Sequence, residues 1–288
     1  LTNFHNDPVS DSTGEALYLR DDETGAFWSP TPLPCPGHSG YVCRHGFGYS
    51  VFEHHESGIY SETSTYVAMD APVKLVTVKL RNQSGRSRRL SLAGYWELVL
   101  GEWRHASLMH IATERDPDTG ALFARNAYSR RSPGRIVFAQ VSEPRRTVTG
   151  NRTEFIGRNG SLADPAALRR THLSGKTGAG LDPCAAVQTR IELADGQERE
   201  IVFVFGAADS TAEARRLILS HGGTAGARRA LEEVWAHWNR VLGALYLETP
   251  DRGLDVLVNG WLIYQTLSCR LWGRSGYYQS GGAYGFRD

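Results

Sequence analysis

The chain has 288 residues, of which 41% are hydrophobic and 10% aromatic. This composition is typical of a folded protein with a packed core and excludes an intrinsically disordered chain. The formal net charge of +1 gives no overall attraction for nucleic acid or acidic lipid, so no nucleic-acid partner is predicted. No apolar run approaches the roughly 20 residues that span a bilayer, and no signal peptide opens the sequence at Leu1. We expect a soluble segment of a larger protein.

Up to about residue 206, short segments alternate apolar and polar residues with a period of two. The clearest pair spans 73–81 and 89–100, and the composition of residues 82–86 between them predicts a hairpin loop. Further strands are predicted at 15–20, 47–54, 58–68, 104–114, 120–127, 135–142, 185–194 and 198–206. So many short strands with turn signals favour a mainly β protein, built as a large antiparallel sandwich rather than a parallel sheet.

The cysteines and histidines near the N-terminus predict no metal site. Cysteines at positions 35, 43, 184 and 269 lie at irregular intervals, so we expect reduced thiols. A zinc site would have to use Cys35, His38, Cys43 and His45, whose spacing fits no common finger and whose neighbouring prolines indicate a rigid loop. The adjacent His54 and His55 point to opposite faces of a strand and are interpreted as structural.

Residues 156–183 follow neither the strand nor the helix period and are rich in glycine and basic residues. An irregular segment of this length is uncommon unless it is functional or disordered. Two interpretations stay open: a mobile surface excursion, or a loop that shapes a binding site. In the second, sugar or phosphate oxygens would accept hydrogen bonds from Arg158, Arg169, Arg170 and Lys176.

After residue 210 the hydrophobic period becomes 3.6, which predicts helices at about 210–220 and 226–246. Another helix is predicted from Thr249, as N-cap with Pro250 in the first helical position, to Gly273. The tryptophans of these apolar stripes are expected in the core: Trp235, Trp238 and Trp261.

The last helix carries an apolar stripe formed by Leu254, Leu257, Val258, Trp261 and Leu271. Without further helices beside it, this stripe would expose more apolar surface than a soluble domain usually tolerates. We therefore expect it to dock onto the preceding helix, to form a homodimer or to aggregate. The predicted domains are a β-sandwich at 1–208, linker helices at 209–247 and the start of a helical domain at 248–288.

The final residues carry the most informative motif, a glycine-rich run that ends in Gly285-Phe286-Arg287-Asp288. Aromatic rings can stack on pyranose faces, while arginine and aspartate bind hydroxyls through directional hydrogen bonds. An aromatic stretch with an Arg-Asp pair cushioned by glycine therefore suits a sugar site.

Several long motifs resemble one family. They lie at 6–8, 14–21, 27–31, 49–54 and 80–101, and the final run Tyr277–Asp288 continues the match. Together with the long basic segment, they resemble the glycoside hydrolase family 94 portion of cyclic β-1,2-glucan synthases. Cellobiose phosphorylase and related glucan phosphorylases belong to the same family, and the resemblance covers essentially the whole chain.

The resemblance implies a fold and a reaction. Family members have an N-terminal supersandwich like that of galactose mutarotase, two linker helices and an (α/α) six-hairpin barrel. They cleave a β-glucosidic bond with inorganic phosphate as co-substrate and invert the anomeric centre. One carboxylic acid protonates the leaving oxygen and phosphate is the nucleophile, so no second catalytic carboxylate is needed. In the synthases this portion is expected to control β-1,2-glucan chain length.

Five residues match the family's sugar-binding motif. Arg287 and Asp288 would line the donor-side sugar subsite, and Tyr278, Gln279 and Tyr284 would shape the wall beside it. The family's motif continues into Gln-Leu-Gln-Asp, and its general acid and phosphate site lie further along the barrel. The resemblance thus implies an inactive fragment, truncated at the start of the barrel, without a catalytic residue or cofactor of its own.

Two classes of function stay open. The first is the phosphorylase portion of a β-glucan enzyme, on the cytoplasmic face in bacteria, whose parent is anchored in the inner membrane. The second is a non-catalytic carbohydrate-binding or interface sandwich. A third and more remote alternative is a mutarotase-like sandwich enzyme. The acidic residues Glu53, Glu56 and Glu62 are interpreted as sheet-surface residues rather than as a general acid.

Overall fold

The computed structural model describes residues 1–2, 13–101, 103–129 and 132–267. Two antiparallel sheets form its main body, as predicted. The smaller sheet has five strands in the order β11-β12-β7-β1-β2. Its strands are β1 (Glu15–Asp21), β2 (Phe27–Trp28), β7 (Arg88–Glu97), β11 (Arg146–Asn151) and β12 (Pro183–Leu193).

The larger sheet has eight strands in the order β3-β4-β5-β6-β13-β10-β9-β8. Its strands are β3 (Tyr41–Gly46), β4 (Tyr49–Glu56), β5 (Ile59–Val67), β6 (Val73–Asn82), β8 (Ile111–Arg115), β9 (Leu122–Asn126), β10 (Ile136–Val141) and β13 (Glu198–Ala208). Every recorded pairing in both sheets is antiparallel, so the predicted mainly β sandwich is confirmed.

The central core lies between the two sheets. Strand β13 sends Phe203 and Phe205 into this core, where the Phe205 ring stacks on Trp96 of β7 with centroids 5.2 Å apart. Val202 and Val204, at the alternate positions, point to the opposite face, which packs against the helices that follow β13. Because both faces of β13 are buried, its sequence reads as a continuous apolar run rather than as a clean alternation.

Two helices cover the outer face of the eight-stranded sheet, α3 (Thr211–His221) and α4 (Thr224–Leu242). The Ser210 side chain caps α3 by accepting a hydrogen bond from the Glu213 N–H. The Tyr66 hydroxyl of β5 donates to the Ala227 carbonyl of α4 over 2.7 Å. The two helices predicted after residue 210 are present, with their ends shifted by a few residues.

The long basic segment covers the outer face of the five-stranded sheet. The segment, residues 156–183, follows directly on α2 (Arg152–Ile156) and contains a 3₁₀ turn at Ala166–Arg169. The Phe155 ring stacks on Tyr95 at 4.8 Å, and the Tyr18 hydroxyl donates to the Leu162 carbonyl. The interpretation of this segment as a surface excursion is therefore wrong, because its apolar side chains close a third buried layer.

The hairpin predicted around residues 82–86 is wrong, because β6 belongs to the eight-stranded sheet and β7 to the five-stranded sheet, so the loop crosses between the sheets.

Some strand predictions were also wrong. The segment predicted as a strand at 104–114 starts with a short helix, α1 (Arg104–Ser107), and a 3₁₀ turn, and only its end belongs to β8. Strands β2, β3 and β11 were not predicted. β2 is only two residues long, and β3 is a largely exposed edge strand, so neither carries a clear alternation. β11 is mostly polar in composition.

The helical stretch after residue 249 begins later than predicted and contains a kink. Asp251, not Thr249, is the N-cap, and its carboxylate accepts hydrogen bonds from the Gly253 and Leu254 N–H groups. The stretch comprises α5 (Arg252–Val256), a π turn at Leu257–Trp261 and α6 (Leu262–Leu267). The predicted end at Gly273 lies outside the described residues. None of the described helices is long and apolar enough to cross a membrane.

A buried ion pair ties two neighbouring strands of the five-stranded sheet. The Arg88 guanidinium lies 2.9 Å from the Asp21 carboxylate, and both side chains are almost fully buried. Burial alone would raise the pKa of Asp21, but hydrogen bonds from the Glu23 N–H, the Thr24 hydroxyl and Arg88 together hold that pKa below its usual range. The Arg88 guanidinium also donates to the Ser57 carbonyl.

We predict that Asp21→Asn lowers the free energy of unfolding at pH 7 by about 3–5 kcal/mol, because it leaves a buried guanidinium without its counter-charge. The matched control is Asp209→Asn, which removes the exposed partner of Arg135 and should cost under about 1 kcal/mol. Urea denaturation measures both.

The pH dependence of this effect follows from the lowered pKa of Asp21. Its contribution is complete above the unfolded-state pKa, near about 3.9, and is lost as the pH falls through the lower folded-state pKa. The wild type and Asp21→Asn should therefore converge in acid. A constant difference between the two proteins across that range would contradict the assignment.

Candidate functional site

The five residues predicted to bind sugar, Tyr278, Gln279, Tyr284, Arg287 and Asp288, lie outside the described residues. The described chain leads towards them through α6. Around α6 and the end of α4, the hairpin of β3 and β4 forms a cleft rich in aromatic side chains. We take this cleft as the candidate site.

The tip of the β3–β4 hairpin packs directly against α4. Gly48 has φ +81°, a left-handed conformation that favours glycine. A Cβ atom at this position would lie 2.3 Å from the indole nitrogen of Trp238 and 2.9 Å from Cγ1 of Val234. Backbone conformation and close approach therefore both require glycine here.

Aromatic rings from three elements meet behind the hairpin tip. The ring of Tyr264 on α6 lies 5.0 Å from Phe47 and 4.8 Å from Trp238, with the second pair in an edge-to-face geometry. Trp261 stacks beside Tyr264 at 6.4 Å. Such pairs contribute about 0.5–1.5 kcal/mol each beyond the area that they bury. The cluster therefore joins the sandwich to the start of the last helical stretch.

The kink in the last helical stretch has a specific cause. Asn259 leaves the helical conformation, and its side-chain amide makes two 2.7 Å hydrogen bonds to Leu247, accepting from the N–H and donating to the carbonyl. Gly260 follows, and a Cβ there would lie 3.0 Å from the Phe47 ring. The Asn-Gly pair thus lets the helix bend around the hairpin tip.

The cleft encloses about 850 Å³. Its lining combines aromatic, histidine and small side chains from the hairpin, from β5 and β6, and from α4 and α6. The residues are His45, Gly46, Phe47, Gly48, Tyr49, Ser50, Thr65, Tyr66, Val67, Ala68, Met69, Lys74, Val234, His237, Trp238, Trp261 and Tyr264.

The described lining of the cleft offers ring faces and a few polar groups that can bind an organic molecule. Among the described residues that line the cleft there is no carboxylate that could act as a general acid. Burial raises the pKa of Tyr66, whose hydroxyl remains a hydrogen-bond donor to Ala227. Lys74 forms an ion pair with Glu15 at 2.6 Å. Aromatic walls with a few polar groups are typical of a pocket that holds a small organic molecule.

The tryptophans that were expected in the core divide into two kinds. Trp238 is buried, as predicted, whereas Trp235 and Trp261 are 43% and 46% exposed. The core prediction for these two residues is wrong. Trp235 lies beside the buried stripe of α4, and Trp261 lies on a helical stretch whose other apolar residues, such as Leu254 and Leu257, are also exposed. Trp235 still contacts Tyr49 edge-on at 5.9 Å.

The charged residues singled out in the sequence are mostly tied to their neighbours. Glu53 pairs with Arg44, and Glu56 accepts hydrogen bonds from the backbone and ring of His38. Their assignment to the sheet surface agrees with these contacts. His54 is buried and His55 exposed, as the strand alternation predicted.

Of the four basic residues in the long segment, two form ion pairs within the same region. Arg169 binds Asp164 at 2.6 Å, and Arg170 lies 3.6 Å from Glu154. Arg158 and Lys176 are exposed. The structure does not bring these four side chains together into one donor cluster.

The cleft residues at the hairpin tip were missed from the sequence because β3 was not predicted. The signal that could have found them is Phe47 between two glycines, Gly46 and Gly48, at the start of the strand predicted at 47–54. The kink had a similar signal, since Asn259-Gly260 is a common turn pair inside an otherwise helical pattern.

Two family models match the chain. The supersandwich domain of glycosyl hydrolase 94 matches residues 1–223, and the catalytic domain of the glycosyl hydrolase 94 superfamily matches residues 237–288. The described part of the second match contains α5, α6 and the aromatic residues at 238, 261 and 264.

Curated relatives are similar over the full length of the chain. The cyclic β-(1,2)-glucan synthase NdvB of Rhizobium meliloti is 37% identical over 291 residues, and the chain covers 10% of that protein. The N,N'-diacetylchitobiose phosphorylase of Vibrio proteolyticus is 25% identical over 309 residues, and the chain covers 37% of it. The chain thus spans only a minor part of the length of both relatives.

Among solved structures, a bacterial glucoamylase complexed with acarbose has a TM-score of 0.47 at 9% identity. The aligned region covers 79% of this chain and 32% of the glucoamylase.

We predict that Gly48→Ala destabilises the chain more than Gly85→Ala, by about 1–3 kcal/mol. Both glycines have a similar positive φ, but a Cβ at Gly85 meets no atom within 4 Å, whereas one at Gly48 meets Trp238. The difference between the two variants therefore isolates the packing of the hairpin tip against α4. Equal unfolding free energies in chemical denaturation would show that this contact contributes nothing.

Proposed function

Because this chain belongs to glycosyl hydrolase family 94, we propose that it is the N-terminal part of an inverting phosphorylase module that acts on β-glucan. The observation that carries the proposal is the match of residues 237–288 to the catalytic domain, which follows directly on the matched supersandwich domain. The similarity of the whole of this chain to part of a cyclic β-(1,2)-glucan synthase supports β-1,2-glucan as the substrate and chain-length control by phosphorolysis as the role.

In this proposal, inorganic phosphate attacks the anomeric carbon from the face opposite to the leaving oxygen. A carboxylic acid of the parent protein, beyond Asp288, gives its proton to that oxygen. Arg287 and Asp288 bind hydroxyls of the donor-side glucose, and Tyr278, Gln279 and Tyr284 form the wall beside them. The proposal needs no resident cofactor.

The aromatic cleft has a positioning role in this scheme. It holds α6, and α6 leads into the proposed sugar-binding run. Phe47, Trp238 and Tyr264 fix this helix against the sandwich through ring contacts of 5.0 and 4.8 Å. A displacement of about 1 Å in a substrate-binding group can lower the rate about a hundredfold, so a fixed position of α6 matters for catalysis.

We further propose that the remainder of the parent chain covers the exposed apolar face of the last helical stretch. Soluble domains rarely expose so many neighbouring apolar side chains. Those in and just before this stretch are 41–65% exposed: Leu247, Leu254, Val256, Leu257, Trp261 and Leu262. A homodimer that buries the same face is the competing arrangement.

We also propose that the module lies on the cytoplasmic face of a bacterial membrane that anchors the parent.

The second candidate function is a non-catalytic carbohydrate-binding or interface module. It is favoured by one observation, an aromatic cleft of about 850 Å³ on the sandwich that could hold a sugar. The two functions differ in the parent: only the phosphorylase module converts β-glucan and phosphate into glucose 1-phosphate.

We predict that the 288-residue chain alone releases no glucose 1-phosphate from β-1,2-glucan or cellobiose in the presence of phosphate. General acid catalysis contributes about 10²–10⁴-fold, and the proposed acid lies outside this chain. The full-length parent assayed beside it should be active. Turnover by the purified chain above the background of a buffer blank would refute this part of the proposal.

We predict that Arg287→Ala in the full-length parent lowers kcat/KM for phosphorolysis by a factor that corresponds to about 1.5–3 kcal/mol for each lost hydrogen bond. Arg287→Lys should restore little of it, because an ammonium lacks the planar fork of a guanidinium. The thermal unfolding midpoint should stay unchanged in both variants. Wild-type kcat/KM in both would remove the residue from the site, and a parallel loss of folding would make it structural.

A further inference from the structure

A second cleft lies on the outer face of the five-stranded sheet, on the opposite side of the sandwich from α3 and α4. It encloses about 700 Å³ beside the middle of the long basic segment. Thr171 and His172 of that segment line it, and the Leu173 N–H donates to the Thr147 hydroxyl of β11 at its edge. No aromatic side chain lines it, apart from the imidazole of His172, among the described residues.

Gln188 lies at the inner end of this cleft and is the observation that points to a ligand. Its side chain is buried, with 2% of the residue exposed, yet neither its amide nitrogen nor its amide oxygen has a hydrogen-bond partner among the described residues. Neighbouring residues explain its position. Gln188 pairs with Thr147 of β11. On the same face of β12, Ala186 lies under the long basic segment, whereas Arg190 is exposed.

Buried amides are nearly always hydrogen-bonded in folded proteins, and each unpaired group carries a desolvation penalty. Replacement by an apolar side chain of similar shape would remove that penalty. A glutamine with both groups unpaired at the inner end of a cleft is therefore a cost to the folded chain. This cost has a physical explanation if a ligand with both a donor and an acceptor binds there.

The charge around Gln188 defines the ligand further. Five arginines and two glutamates line the cleft, and Arg145 has no carboxylate partner within the described chain. Arg146 donates to the carbonyls of Val141, Glu143 and Thr119 and likewise lacks a carboxylate partner there. Arg199 instead binds Glu143 with two hydrogen bonds of 3.1 and 2.7 Å. Arg190 and Arg89 pair with Asp22 and Glu23, at 3.0 and 3.8 Å, which do not line the cleft. The positive charge without a carboxylate partner therefore lies at Arg145 and Arg146.

The size and the two glutamates favour a compact anion over a polymer. A long polyanion would meet the carboxylates of Glu143 and Glu192 at the same surface, whereas a single oxyanion can lie against the arginines alone. Arginine presents a fork of donors that fits phosphate oxygens. An adjacent hydroxyl can both donate to and accept from the Gln188 amide, because it carries one hydrogen and two lone pairs.

We propose that this cleft binds a compact hydroxylated oxyanion of the sugar phosphate class, with the phosphate near Arg145 and Arg146 and a sugar hydroxyl on the Gln188 amide. The site lies on the sandwich and shares no residue with the proposed sugar-binding run at 278–288. The proposal does not depend on the phosphorylase assignment, and an inactive parent would leave it unaffected.

The test is calorimetric titration of the 288-residue chain with glucose 6-phosphate, inorganic phosphate and glucose. Glucose 6-phosphate is chosen because it is not a product of phosphorolysis. We expect it to bind more tightly than phosphate, glucose not to bind, and both anions to weaken as salt is raised. A wild-type chain that binds neither anion at millimolar concentration overturns the proposal.

Three variants sharpen the test. Arg145→Gln should weaken both anions by about 10-fold or more, the loss of one charge-assisted hydrogen bond. Gln188→Leu should reduce the affinity for glucose 6-phosphate to that for phosphate and leave phosphate binding unchanged. Arg229→Gln is the matched control, an exposed arginine on α4 that donates to a backbone carbonyl and lies outside the cleft.

The stability of the unliganded variants separates a binding role from a structural one. Since Gln188 has no partner to lose, Gln188→Leu should keep or raise the thermal unfolding midpoint while it loses selectivity. A lowered midpoint, or affinities equal to wild type in both Gln188→Leu and Arg145→Gln, would contradict the assignment of the cleft. Arg145 is exposed, so its variant reports on binding even if the leucine variant fails to fold.

Discussion

The contact between the β3–β4 hairpin tip and α4 is the joint on which the candidate site depends. The eight-stranded sheet fixes the hairpin, and the hairpin in turn supports α4 and the kinked helix through one glycine and three aromatic rings. Gly48 admits the Trp238 indole at a distance that no other residue would tolerate. Each large ring buries about 150–250 Å², so the joint is rigid although it involves few residues.

The central strands of the two sheets are buried on both faces because the molecule is layered. The long basic segment, the two sheets and the α3–α4 pair form four layers, and the strands in the middle contact apolar groups on each side. The outer face beside Gln188 and Arg190 borders the cleft lined by the five arginines.

Much of this architecture could be predicted from the sequence. The alternation in β6 and β7 indicated two strands because one face of each contacts the central core, and the change of period after residue 210 indicated α3 and α4. The predicted pairing of these two strands was wrong, since they lie in different sheets. The resemblance in the terminal motifs indicated the family, which the matches confirm. These signals are local, and local patterns are what a sequence states directly.

The remaining features depend on partners that are distant in the chain. Edge strand β3 has little burial to impose a pattern, since it pairs on one side only. The kink at Asn259 depends on hydrogen bonds to Leu247, and the fit of Gly48 depends on Trp238. The unpaired amide of Gln188 is visible only once its neighbours are in place. No spacing in the sequence contains this information.

The central claim is that this sandwich belongs to an enzyme that breaks a β-glucosidic bond with phosphate and inverts the anomeric centre. The most direct measurement is proton and phosphorus NMR of the first products when the full-length parent acts on β-1,2-glucan in phosphate buffer. The account predicts α-glucose 1-phosphate from the earliest time points. The β-anomer, or free glucose without a phosphate ester, would contradict it.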